Sequence, residues 1–167
     1  MVEATVQQLV AEGDLRKAAQ HLDSKTILTP SERALRAHLE LQIGDPAKSL
    51  KIAERLLLEL TDPRAQVEAL AVKARALGRV GAIEPATSTF RRAISQAAVV
   101  DQALEADLRG EFVQSLLSWI GIEPTLAELP ALRASALKSG NTVALAQFHI
   151  ANARLDAGTQ RARVELE

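Results

Sequence analysis

The chain contains no cysteine and no tyrosine, a single tryptophan and three phenylalanines, so aromatics amount to 2% of its 167 residues. The missing cysteines exclude disulfides and thiolate metal sites and suit a reducing compartment, so the expected location is cytoplasmic. No stretch approaches the roughly 18–20 consecutive apolar residues that a membrane span requires. The N-terminal MVEATVQQLVAEGDLRK carries Glu3 and Glu12 and lacks the basic start and continuous apolar stretch of a secretory leader. An excess of one charge is missing too. Lys and Arg number 20 against 21 Asp and Glu, a net charge of −1, which removes any general attraction to nucleic acid or to an anionic membrane.

What is present is aliphatic. Hydrophobic residues make up 47% of the chain, enough for a core, and that core must be built from Ala, Leu, Val and Ile. Ala and Leu beside Arg and Glu favour helices, whereas strands draw on aromatic and β-branched residues.

The clearest unit runs from Asp62 to Ala98. Val67, Leu70, Ala71, Ala74 and Leu77 fall three and four residues apart, and so do Ala86, Phe90, Ala93, Ile94 and Ala97. Each set shares one helical face. Asp62-Pro63 is a helix start and Gly81 a helix stop, with Glu84-Pro85 restarting the chain. Neither helix can bury its stripe alone, so the two are expected to fold back on each other.

Similar signals divide the remainder. Residues 2–11 form a short helix with Val2, Val6, Leu9 and Val10 on one face, and Gly13-Asp14 turns into a second, where Ala18, Ala19 and Leu22 face inward. Thr29-Pro30-Ser31-Glu32 is a capping box with proline in the first turn. Gly44-Asp45-Pro46 opens a helix over 46–60, where Leu56 and Leu58 widen the apolar stripe and predict cover on two sides. Asp101 caps a long helix with Leu104, Leu108, Phe112, Leu116 and Trp119. Gly110, inside it, reads either as a close helix crossing or as a tolerated surface glycine. Pro130 predicts a break within 124–138. Helix 142–157 is apolar around most of its circumference, which predicts that it is sandwiched or that its outer side meets another segment, including a second copy of the chain. The closing Leu166-Glu167 fits a fragment of a longer protein as well as a natural terminus. The expected organisation is one domain, 1–167, of helix pairs over 2–23, 30–60, 62–98, 101–138 and 141–167.

Leu70, Ala74, Leu77, Gly81, Ala86, Phe90 and Ala93 resemble the spaced pattern of a tetratricopeptide repeat. In that resemblance Ala74 and Ala86 are the small positions that let two helices approach, and Leu70 and Phe90 the large ones that fill the gap. The glycines Gly44, Gly81, Gly121 and Gly158 stand 37, 40 and 37 residues apart, longer than the standard repeat of about 34. In spacing and Ala/Leu texture they are similar to the irregular repeats of large bacterial transcription activators of the maltose-regulator type. The resemblance implies an all-α solenoid, a right-handed stack of antiparallel helix hairpins. It also implies that first-helix residues on the concave side touch ligands: Ala34 and His38, Ala71 and Arg75, Phe148 and Asn152. The Lys/Asn set that clamps a C-terminal carboxylate in some relatives is not present as a group.

Nothing reads as a catalytic centre. His21, His38 and His149 lie on separate helices, and there is no HExxH and no GxSxG. Gly78-Arg79-Val80-Gly81 follows a helix rather than a strand, so it is not a nucleotide loop. No metal and no cofactor is expected. Charge is uneven: six basic residues against two acidic over 63–98, and six acidic against one basic over 101–128. These are read as solvated faces pairing locally or as a polar groove that orients a charged partner. RNA binding would need stacking aromatics beside the cations, and the basic segment offers only Phe90. The expected function is therefore a scaffold that binds a peptide, a helix or a partner subunit, with His38, Arg75, Phe148 and Asn152 as candidate contacts. The alternatives are a sensor or regulatory repeat domain of a larger bacterial signalling or transcription-activator protein, and a helical small-ligand-binding protein.

Overall fold

The computed structural model describes residues 5–164, with backbone only for 30, 31 and 158–164. Val2 of the first apolar face and the terminal Leu166-Glu167 lie outside the described residues. Among these the chain is all helical, without a strand: α1 (Val6–Ala11), α2 (Leu15–Asp23), α3 (Pro30–Ile43), α4 (Pro46–Glu59), α5 (Pro63–Arg79), α6 (Ile83–Val100), α7 (Gln102–Trp119), α8 (Ile122–Ser139) and α9 (Thr142–Val164). No helix is long and apolar enough to cross a membrane among the described residues.

Local chemistry sets the helix starts. The hydroxyls of Thr5 and Thr29 accept from the backbone N–H three residues on, and Gln8 and Glu32 reach back to complete capping boxes. The carboxylates of Asp14, Asp45, Asp62 and Asp101 cap α2, α4, α5 and α7, and Asn141 does so for α9 through the N–H of Ala144. Gly44 and Gly140 close α3 and α8 at φ of +105° and +67°, a left-handed geometry that costs glycine nothing.

The chain divides into two compact units, 1–89 and 90–167, and the division falls within α6. In the first unit α1 packs on α2, α2 on α3, α3 on α4 and α4 on α5, and α3 also touches α5. Ala18, Ala19, Leu22 and Leu39 join side chains of α1, α2 and α3 in one apolar cluster. Ala34, Leu56, Leu60 and Ala69 join α3, α4 and α5 in another. Helix α5 buries more than the stripe its spacing predicts. Ala69, Val72 and Ala76 are enclosed along with Val67, Leu70 and Ala74, because α3 and α4 both lean on it.

In the second unit α7 contacts α8 and α9, and α8 contacts α9. Val113, Leu129, Leu132, Ala144, Ala151 and Leu155 are the centre of its core. Phe90 stacks on Phe112 with ring centroids 5.5 Å apart and lies 6.1 Å from Trp119. Gly110 is buried, and a Cβ there would sit 1.7 Å from Gln147 Oε1 on α9. The glycine is therefore not a surface one, and the side chain of Gln147 fills the space beside it.

Four expectations are corrected. Pro130 does not break the chain: α8 is continuous from Ile122 to Ser139. An interior proline costs about 3 kcal/mol, but Leu129 and Leu132 beside it are both buried in the core, and their burial offsets that cost. Gly158 is not between helices, because α9 continues to Val164. Helix α4 is covered on two sides, by α3 and α5, with Leu56 1% exposed, but Leu58 is 88% exposed and has no part in that cover. Helix α9 buries Ala144, Ala151 and Leu155, while Val143 and Ile150 are 61% and 48% exposed. One side of it is open rather than sandwiched.

Candidate functional site

Helices α2 and α4 of the first unit both rest on α3, and their backbones do not approach within 8 Å of each other among the described residues. Two helices packed on a third and held apart leave a trough over the middle one. Here the trough is an open cleft of 480 Å³. Helix α3 contributes Arg33 and Arg36. Asp23 and Leu28 come from the end of α2 and the loop after it. Lys48, Lys51, Ile52, Arg55 and Leu56 come from α4. The spacing 48, 51, 55 puts the three α4 cations on one helical face, and Ile52 and Leu56 follow them one position round.

An ion-pair chain crosses the floor. Asp23 accepts from both Nε and Nη2 of Arg36 at 2.7 Å each. Arg36 Nη1 pairs with Glu40, and Lys48 Nζ reaches the same Glu40 carboxylate at 2.6 Å. Arg36 and Glu40 are each only 5% exposed. Charged groups so enclosed need partners, and these link α2, α3 and α4 in sequence. The Arg36 hydrogen bonds hold the Asp23 carboxyl below the usual carboxylate range, against the opposing pull of its partial burial. Asp23 in turn raises Arg36. Arg33 pairs with Glu59, and its buried Nε has no hydrogen-bond acceptor among the described residues.

The carboxylates Asp23, Glu40 and Glu59 thus engage Arg36, Lys48 and Arg33. Lys51 and Arg55 are exposed, and no carboxylate pairs with either among the described residues; the nearby Glu54 turns instead to Lys73 of α5, 3.0 Å away. The cleft therefore presents two uncompensated cations beside an aliphatic wall. No aromatic side chain lines it.

The residues singled out from sequence lie elsewhere. His38 is half-buried on α3, its Nε2 3.0 Å from Gln42 Nε2. Arg75 is half-buried on α5. Neither lines the cleft. Phe148 and Asn152 belong to the second unit. Phe148 packs against the core there and meets the His149 ring edge-on at 5.2 Å. Asn152 is exposed and donates to Asp156 at 3.3 Å. Ala34 and Ala71 are buried. The cleft cations were missed for a simple reason. Over 33–59 five cations face Glu40, Asp45, Glu54 and Glu59, so a charge count nearly cancels. Only the three-and-four spacing on α4 separates the signs by face. No cluster of His, Asp or Glu suited to a metal ion occurs among the described residues.

No protein-family model, curated protein or solved structure matches the chain. The class that fold and cleft define is an all-α protein with an open basic trough.

Proposed function

We propose that the protein is a binding scaffold of tetratricopeptide-like character, a right-handed stack of helix hairpins that holds a peptide, helix or partner subunit on its repeat surface. The observation that carries this reading is the trough itself. Helix α3 packs on α5 while the backbones of α2 and α4 stay apart, and an open furrow over α3 is what a row of hairpins would be expected to present. Furrows of this kind are where stacked helical repeats expose extended surface, each unit being stabilised by its neighbours. Two contacts between helices two apart in the chain, α3 with α5 and α7 with α9, support the same reading within each unit.

The test is reconstitution. The full chain is used to capture partners from a lysate of its source cells, and each captured protein is purified and titrated back by calorimetry. A saturable complex with a purified protein is the expected result. A chain that binds no purified protein but is stabilised by a nucleotide or metabolite would move it to the small-ligand class.

A further inference from the structure

Resting on the scaffold reading, we propose that the α2–α4 trough binds an extended acidic peptide segment, Lys51 and Arg55 taking carboxylates two residues apart while an aliphatic side chain of the same segment lies on Leu28 and Ile52.

Charge complementarity gives the sign. Of the cations lining the cleft, Arg33, Arg36 and Lys48 are engaged by the chain's own carboxylates. Lys51 and Arg55 are the two left over among the described residues, and they point the same way from successive turns of α4. Exposed cations without counter-charge on a concave surface are an electrostatic complement to an acidic partner and steer its approach. Spacing gives the conformation. Side chains four apart on a helix stand about 5–6 Å from one another. In an extended chain alternate side chains share a face and stand about 6.6 Å apart. A segment with acidic residues at alternate positions therefore matches Lys51 and Arg55 without distortion.

Size and lining decide against other polyanions. At 480 Å³ the cleft takes a few side chains, not a whole helix. A nucleic acid would be met by phosphate contacts and by stacking on aromatic or guanidinium planes. This cleft has no aromatic side chain among its lining residues. The half-buried Leu28 and Ile52 would be left uncovered by such a ligand but are covered by an aliphatic side chain.

The experiment pans a random 12-residue peptide library against the full chain, then measures the enriched consensus peptide, fluorescein-labelled, by anisotropy. The expected consensus has acidic residues at alternate positions with a Leu, Ile or Val in the same register. The expected loss in affinity is about tenfold or more for Lys51→Glu/Arg55→Glu, the sum of two exposed charge pairs turned repulsive, and a smaller loss for Lys51→Ala/Arg55→Ala. Arg133→Glu, an exposed charge on α8 outside the cleft, should leave affinity unchanged, and circular dichroism should show all variants folded. Enriched peptides without acidic residues, or unaffected by the Lys51/Arg55 variants, would overturn the cleft assignment and leave the scaffold reading standing. Failure to enrich any peptide would overturn the acidic-peptide assignment, and together with failure of partner reconstitution it would overturn the scaffold reading too. A labelled dT12 oligonucleotide that binds where no peptide does, and is released by the same variants, would also overturn it in favour of nucleic acid.

Discussion

Asp23, the last residue of α2, receives two parallel hydrogen bonds of 2.7 Å from the guanidinium of Arg36 on α3. The planar fork of arginine matches a carboxylate in this way and lysine does not. Because Arg36 continues to Glu40, and Glu40 to Lys48 on α4, one side chain ties together the three helices that form the cleft.

Removing that tie exposes its cost. Arg36→Met leaves Glu40, which is 5% exposed, with Lys48 as its remaining partner, and is expected to lower stability by about 3 kcal/mol, as when one member of a buried pair is removed. Arg36→Met/Glu40→Leu takes away both buried charges and should recover most of the loss. Urea denaturation of the two variants checks this. A double variant as unstable as the single one would show that the charges are not what matters at this position.

Acid should weaken the fold through Glu32. Its carboxylate accepts from Lys25, then from the backbone N–H and hydroxyl of Thr29, and these bring it down to about 2 from 4.5. A carboxylate that ionises more readily in the folded chain stabilises it above its unfolded value, and that contribution fades as protons return. It is complete above about pH 4.5 and is lost as pH falls towards about 2. Asp14 and Asp23 are shifted the same way, so they add to the acid limb. Melting temperature followed from pH 6 to pH 2 should fall over this window. Glu32→Gln should make the decline shallower, and an unchanged slope would count against the Glu32 carboxylate as its source.

Two leucines on α4 make a sharp contrast. Leu56→Ala, at a site 1% exposed, should cost about 2–5 kcal/mol through lost burial and the void left behind. Leu58→Ala, two residues on and 88% exposed, should stay within about 0.5 kcal/mol of the parent. Chemical denaturation of the pair reads this directly.

At Gly110 the obstacle to a larger residue is the far end of one flexible side chain, Gln147. Its Oε1 is buried without a hydrogen-bond partner among the described residues. Alanine is preferred to glycine inside a helix by up to about 1 kcal/mol. Gly110→Ala should realise that gain in a Gln147→Ala background and gain less, or nothing, with Gln147 in place. Thermal melts of the four combinations check it.

Helix boundaries were legible because they are written in local chemistry. Thr29 with Glu32, Asp45 before Pro46, Asp62 before Pro63 and Asp101 each need only their own next three residues to act. Pro130 and Gly158 were misread for the converse reason: the local preference to stop is real, and burial of neighbours such as Leu129 and Leu132 outweighs it at Pro130. Leu58 could not be placed from periodicity, since a helix with Leu56, Leu57 and Leu58 in a row has no unique inner edge. The cleft was the least legible feature of all. Its floor requires Asp23, Arg36, Glu40 and Lys48, which meet only after three helices have packed, and its two uncompensated cations are defined by which carboxylates were taken by other partners.

The placement of the rings has a practical consequence. Phe90 is the first aromatic in the chain, and Trp119 is held beside it in the second unit. Residues 1–89, the whole of the first unit, contain none. Tryptophan fluorescence and near-ultraviolet dichroism therefore watch one half of the molecule while the other melts unseen, and only the far-ultraviolet amide signal records both. The gap between an emission-monitored and an amide-monitored transition thus becomes a direct gauge of how far the two halves unfold as one.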